Sequence, residues 1–300
     1  MNPRLALVLA ACLVLAACGT SKTEGTSEPA GAPAGSGAFV NITSDWGRTK
    51  VAEGRGPAGS LLAATEAVVP VETAYGGRYV SALDGEAGDG AREWLFWLNG
   101  IESDVGAADI EVGPDDVVWW DLHVWADRVH IPAIVGQWPA PLTRALDADV
   151  SGVTADPAAA AALAAADVEA RIPAATSGPR AIAGANAALV ERDPTWRAAL
   201  EDPRRAGLTA WFDGDEIVVW DAAAGTAVPV PKARAVLVAT TEDFDSRSAP
   251  VVVIAGRTEA DAEAAAAALA GNPLLVQRHF AICLDAEALI ACSGGQGLTL

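Results

Sequence analysis

The chain has 300 residues, 51% of them hydrophobic, with ten Trp, three His and four Cys, which is enough apolar material for one large or two ordinary domains. Its 39 acidic and 20 basic side chains leave a formal charge of -19, and this excludes the basic surface that a nucleic-acid partner needs. Few His and Lys leave few general bases, and there is no Gly-x-Ser-x-Gly elbow, His-Glu-x-x-His pair or Walker loop, so the expectation is a protein without catalytic residues or a metal site.

Arg4 supplies a positive start, and Leu5 to Ala17 form an apolar run of 13 residues. That length is short for a membrane span and suits a signal-peptide core. Leu15-Ala16-Ala17-Cys18 follows and resembles the bacterial lipoprotein box. The resemblance implies that residues 1–17 are removed and that Cys18 carries a lipid anchor on the extracytoplasmic face of the cell membrane. Residues 18–37 are built from Gly, Ser, Thr, Pro, Ala and a few charges. Such a segment cannot bury a core, and it is expected to be a flexible tether averaging roughly 24 Å end to end.

Residues 38–140 hold seven of the ten Trp and read as a strand-rich first domain. Phe39 to Thr43 alternates with period two, and Ser60 offers an N-cap to a short helix from Leu61 to Ala67. Arg78 to Leu83, Glu93 to Leu98 and Val117 to Trp125 are the further strands. Gly54, Gly56 and Gly59 match a dinucleotide fingerprint in spacing, but no βαβ unit surrounds them, so they mark the turn into the helix.

The stretch from Tyr75 to Gly85, the segment WLFWLNGIESDVG from Trp94 to Gly106, and Val112-Gly113-Pro114-Asp115-Asp116-Val117-Val118-Trp119-Trp120 carry a family resemblance. Together they look like the transcobalamin-like C-terminal domain family, a domain of unknown function also present in many bacterial surface proteins. The resemblance implies a β-grasp-like fold over about a third of the chain. In the vitamin carriers this domain closes over cobalamin, and bacterial relatives often accompany energy-coupling-factor uptake systems. Cobalamin or another corrinoid is therefore the ligand it raises, and an uptake transporter the partner.

Alternation divides the aromatic residues between two faces. Val118, Trp120, Leu122 and Val124 share an apolar side with Trp94, Phe96 and Leu98, and this side is expected to be core. The opposite side shows Trp97, Trp119, Asp121, His123 and Trp125, a mixture of rings and polar groups of the kind that lines ligand sites. Two readings of this second face stay open: a ligand wall, or a surface packed on the second domain. A metal at His123 and His130 is not expected, because seven residues separate them and odd offsets on a strand point opposite ways.

The Pro-rich segment from His130 to Pro141 marks the domain boundary, and residues 141–300 alternate apolar runs with Ala-rich helices. Helices are expected from Asp156-Pro157 to about Glu169, from Gly184 to Leu200 and from Glu259 to Ala270. Leu208 to Phe212 and Ile217 to Trp220 flank a hairpin turn, and Val236 to Thr240 and Val251 to Ala255 read as central strands. Cys283 and Cys292 flank a final hairpin, where an oxidising compartment permits a disulfide; two buried, unpaired thiols are the other reading.

The expected class is α+β, a β-grasp-like N-terminal domain followed by an α/β sandwich domain. The expected role is non-catalytic binding of a small ligand in support of uptake, with a cell-surface scaffold as the alternative.

Overall fold

The computed structural model describes residues 37–124, 130–144, 152–246, 248–286 and 288–292. The signal segment 1–17, Cys18, Trp125 and all of the tether but its last residue lie outside them. Pro33–Leu300 forms one compact unit by its contacts.

In the first half, a hairpin of β1 (Phe39–Ser44) and β2 (Thr49–Arg55) leads to helix α1 (Leu61–Glu66). A pair of strands, β3 (Val71–Ala74) and β4 (Tyr79–Leu83), belongs to a small separate sheet. Then come β5 (Arg92–Leu98), β6 (Ile101–Glu102) and β7 (Val117–Val124). The main sheet has five strands in the order β2-β1-β7-β5-β6, with β7 parallel to β1 and antiparallel to β5. A last strand inserted centrally, alongside the first, with a helix crossing one face, is the β-grasp arrangement. The structure is of the mixed α+β class that the sequence pattern indicates.

The faces divide as alternation predicts. Val118, Trp120 and Leu122 are buried with Trp94, Leu98, Leu61 and Ala64 beneath α1, while Val124 is half-exposed. Ser60 caps α1 by accepting from the Ala63 amide at 3.5 Å. The Trp120 indole donates to Thr65 Oγ1 at 3.1 Å, so the ring enters the core with its N–H satisfied. Gly56 is required by this packing: a Cβ there would sit 2.0 Å from the Ala64 carbonyl oxygen. The glycine-rich stretch thus serves helix-to-strand approach.

In the second half, α2 (Ala140–Thr143), β8 (Thr154–Ala155), α3 (Pro157–Ala164), β9 (Arg180–Ala185), α4 (Asn186–Arg192) and α5 (Pro194–Glu201) come first. A three-stranded sheet, β10 (Ala210–Asp213), β11 (Glu216–Asp221) and β12 (Thr226–Pro229), follows. The chain closes with β13 (Ala233–Thr241), β14 (Pro250–Gly256), α6 (Glu259–Gly271), β15 (Ile282–Asp285) and β16 (Ala288–Ala291). The six-stranded sheet runs β8-β9-β14-β13-β15-β16, its first three strands parallel and the rest antiparallel. Ala159, Leu163, Ala265 and Leu269 of α3 and α6 cover one face.

Three features differ from the sequence pattern. The helix expected from Gly184 to Leu200 is two helices, because Pro194 has no N–H to continue the first; Asp193 caps the second by accepting from the Trp196 amide at 2.9 Å. Gly184 lies within strand β9, one residue before its end, instead of starting a helix. That strand, with a single β-branched residue, carries almost no β signal, and its small side chains let α3 and α6 pack close. The Pro-rich segment after His130 is not an exposed linker: Ile131, Ala133, Ile134, Val135, Trp138 and Leu142 are all buried.

Cys283 and Cys292 are disulfide-bonded with Cα atoms 5.4 Å apart, and both are buried. Cys283 lies opposite Ile290, not Cys292. An offset of two keeps the second cysteine on the same sheet face, so the bond runs diagonally.

Asp193 has a second task. Fully buried Arg180 donates to it from Nε at 2.8 Å and from Nη2 at 3.2 Å, and also donates to Thr195 Oγ1 at 2.9 Å and to Glu242 at 2.6 Å. Removing one partner strands a buried charge. We expect Asp193→Ala to lower stability by about 3–5 kcal/mol, measured by urea denaturation.

Candidate functional site

The mixed face of β7 is where the sequence places the site, and the structure brings four of its five residues together. Trp97 and Trp119 pair across β5 and β7, and Asp121 and His123 follow along β7. Trp125 lies outside the described residues. This face is closed: Trp97, Trp119 and Asp121 are 0% exposed and His123 is 1%. Its cover comes from the second half of the chain. The Phe280 ring lies 4.8 Å from Trp119, 5.1 Å from Trp97 and 5.7 Å from His123 between centroids.

Both indoles also have their N–H groups committed internally. Trp97 donates to the Ile131 carbonyl at 2.8 Å and Trp119 to Thr43 Oγ1 at 2.7 Å. They form a core between two sheets and leave no donor for a ligand. Of the two readings open in the sequence, packing on the second half describes these two rings. Replacing Trp119 with Ala is therefore expected to destabilise the fold by about 3–5 kcal/mol; a denaturation midpoint that does not move would show that the ring is not core.

Asp121 organises the rest. Its Oδ2 accepts from Thr43 Oγ1 at 2.5 Å and from the Gly47 amide at 2.8 Å. Its Oδ1 accepts from the Trp46 amide at 3.1 Å and meets His123 Nδ1 at 2.6 Å. A carboxylate only accepts, so His123 Nδ1 carries the hydrogen of this contact. Nε2 is buried and has no hydrogen-bond partner.

The β1–β2 turn supplies two of these donors at the expense of an unusual backbone. Asp45, Trp46 and Gly47 have φ of 54°, 61° and 78° in succession. For non-Gly residues this conformation costs of order 1–3 kcal/mol each and persists only where the surroundings enforce it. The Gly47 position has no room for a side chain, since a Cβ would lie 2.2 Å from the Arg278 carbonyl oxygen. The turn lays the Trp46 ring on the His123 imidazole, with centroids 4.1 Å apart and planes at 26°.

A cavity of about 310 Å³ opens beside this stack, lined by Asp45, Trp46, Arg92, Leu122, His123 and Val124. Arg92 is paired with Glu86 and with Asp89, each at 3.3 Å, and Asp45 with Arg48 at 3.8 Å. Sequence reasoning found Asp121 and His123 but missed Thr43, Trp46, Arg92 and Phe280. Ser44-Asp45-Trp46-Gly47, a turn motif directly after a strand, was the available signal for Trp46. Phe280 sits more than 150 residues from β7, and nothing local announces it. Among the described residues no group of three or more His, Cys, Asp or Glu could hold a metal ion.

The other histidines titrate in opposite senses. Burial pushes the half-buried His279 below the ordinary imidazole value of 6.5, and neighbouring Arg278 adds to this. The hydrogen bond with Glu102 raises His130 above 6.5. As pH falls below 6.5 the unfolded chain takes up the His279 proton first, so that stability is present above 6.5 and lost below it. His279→Gln is expected to flatten this acid limb, read as urea midpoints on either side of 6.5; His130→Gln is expected to change the slope in the other direction.

The fold and site thus define a mixed α+β protein whose β-grasp half carries a buried Asp–His pair beside a cavity. Residues 59–124 match the family model described as a domain of unknown function (DUF4430), the domain to which the sequence resemblance points. No curated protein and no solved structure matches the chain.

Proposed function

We propose that this protein is an extracytoplasmic lipoprotein, held on the cell membrane by lipid on Cys18, that binds a small ligand without transforming it and serves an uptake system. The observation that carries the binding reading is a cavity of about 310 Å³ bordered by Asp45, Trp46, Arg92 and His123, next to a buried His123 Nε2 that has no hydrogen-bond partner. An unmet buried polar atom costs about 1–3 kcal/mol. No side-chain nucleophile is bonded to Nε2, so a binding role fits the pair better than acyl-transfer chemistry. Leu15-Ala16-Ala17-Cys18 and the low-complexity segment behind it support the anchor, and a disulfide fits an oxidising compartment. Among the described residues no helix is long and apolar enough to cross a membrane.

The corrinoid that the family resemblance raises meets a constraint. A cavity of about 310 Å³ is at the lower end of small-molecule sites, so a corrin ring would have to lie across its mouth, and the volume favours a smaller ligand. The scaffold reading draws support from a different observation, the closure of the Trp97–Trp119 face by Phe280.

Two measurements test the proposal. Cys18→Ser should move the protein from the membrane to the soluble fraction and remove the lipid mass. Titrating the chain from residue 19 onward with cobalamin, cobinamide and a library of small heteroaromatic compounds, followed by Trp fluorescence, should give saturable quenching that His123→Phe removes. Absence of saturable quenching across the whole set, with the protein folded, would favour the scaffold.

A further inference from the structure

The second half of the chain holds a crevice of its own, at the ends of its parallel strands. We propose that this crevice binds a small zwitterion of the α-amino-acid class, whose carboxylate meets Arg192 and whose ammonium meets Glu259. The site is separate from the His123 cavity and goes beyond the reading above.

Strands β8, β9 and β14 are parallel neighbours, so their carboxyl ends open at one edge of the sheet. The chain leaves β8 for one face and β9 for the other. Helix α3, which follows β8, packs through Ala159 and Leu163 in the same cluster as Ala181 and Ala183 of β9. Helix α4, which follows β9, packs through Leu189 with Ile182, whose side chain points to the opposite face. In an open α/β sheet such a reversal parts the two connections and leaves a crevice beyond the strand ends, where ligands bind. A cavity of about 290 Å³ lies there, and its lining includes Asp156, Pro157, Gly184, Ala188, Arg192 and Glu259. Pro157, Ala188, Arg192 and Glu259 are exposed, so this lining is open to a ligand.

Arg192 comes to the crevice already anchored. Its Nη1 donates to Asp156 Oδ1 at 2.8 Å, and its Nη2 donates to Asp156 Oδ2 and, at 3.3 Å, to the Ala183 carbonyl. Asp156 is buried, and its Oδ2 also accepts from the Ala183 amide at 2.8 Å, which fixes the pair to the strand end. A guanidinium has five N–H donors; these bonds engage Nη1 and Nη2 and leave Nε without a partner among the described residues. The side chain remains 44% exposed. Glu259, the first residue of α6, is held at the same cavity, where its Oε2 accepts from the Ala185 amide at 3.0 Å. Gly184 leaves room for it, since a Cβ there would come 3.2 Å from Oε2. The hydrogen bond to Asp156 raises the Arg192 guanidinium above its ordinary value, and the charge of Glu259 adds a smaller part.

Arg192 and Glu259 thus line one cavity with opposite charges and are not paired with each other. A lone anion would meet Asp156 and Glu259 along with Arg192, and a lone cation would meet Arg192 along with Glu259. A molecule with both charges a few atoms apart gives each an opposite partner and a charge-assisted hydrogen bond. Pro157 and Ala188 supply apolar surface for the rest of it. The volume is close to the lower limit of small-molecule sites, which suits a molecule of amino-acid size.

The test uses the chain from residue 19 onward, which retains the compact unit Pro33–Leu300. The standard amino acids are titrated singly by isothermal calorimetry, and each binder is compared with its des-amino acid and its decarboxylated amine. The expected result is saturable binding of at least one amino acid, about tenfold tighter than either analogue. Glu259→Gln, at an exposed position, should weaken that binding about tenfold, and Ala188→Trp should block it by filling the crevice. Urea midpoints check that both variants are folded, and the analogue comparison is read on the unsubstituted protein. An amine or a carboxylate that binds as tightly as its parent amino acid would overturn the proposal, and so would binding that Ala188→Trp leaves unchanged. If none of the amino acids binds, the proposal falls, while the His123 cavity, tested with other ligands and another variant, is unaffected.

Discussion

Strand Val117–Val124 carries large side chains on both of its faces, and each face needs its own cover before the strand can be stable in the centre of a sheet. One cover is local: α1 lies across Val118, Trp120 and Leu122 within the β-grasp half. The other comes from the far end of the chain. Phe280 reaches Trp97, Trp119, Trp46 and His123 at once, with centroid distances from 4.8 to 5.7 Å. This doubly covered strand joins the two halves. It places Trp46, Trp97 and Trp119 in the same apolar cluster as Trp196, Phe212 and Ile182 of the second half.

Burying the second face also buries its polar residues, and the structure settles that cost almost completely. The Trp119 indole, the Thr43 hydroxyl, the Asp121 carboxylate and His123 Nδ1 form one continuous chain of hydrogen bonds. Two backbone amides from a left-handed turn complete the carboxylate. Such a network rigidifies its surroundings when it is fully satisfied. It falls one bond short, at His123 Nε2, and that shortfall lies beside a cavity. A strained turn holds the Trp46 ring against the His123 imidazole, whereas Trp97 and Trp119 are packed as core.

The second half follows a different economy of space. Its parallel strands and the helices α3 and α6 are rich in Ala, so backbones approach closely and small side chains fill the layer. Its polar centre is Arg180, which is fully buried and tied to Asp193, Thr195 and Glu242, so that the start of α5, strand β9 and the end of β13 are fastened by one guanidinium. The diagonal disulfide closes the last hairpin on the other edge of the same sheet.

Much of this was legible in the residues themselves. Alternation in Phe39–Thr43, Glu93–Leu98 and Val117–Val124 identified three strands of the main sheet and sorted Trp94 and Trp120 from Trp97 and Trp119. Ser60 announced α1, Asp213 to Glu216 a hairpin, and Thr258 with Asp261 stands at the head of α6. These are local signals, set by backbone geometry and by side chains within one turn. Strand Arg180–Ala185 was not legible, because its small residues fit a helix equally well and only the sheet on which it lies makes it a strand. The same limit applies at the site. Alternation alone put Asp121 and His123 side by side. What completes the Asp121 carboxylate that holds His123 is a turn 75 residues before it, and whether the Trp face is open depends on Phe280. Both are contacts between distant parts of the chain, and no local pattern encodes them.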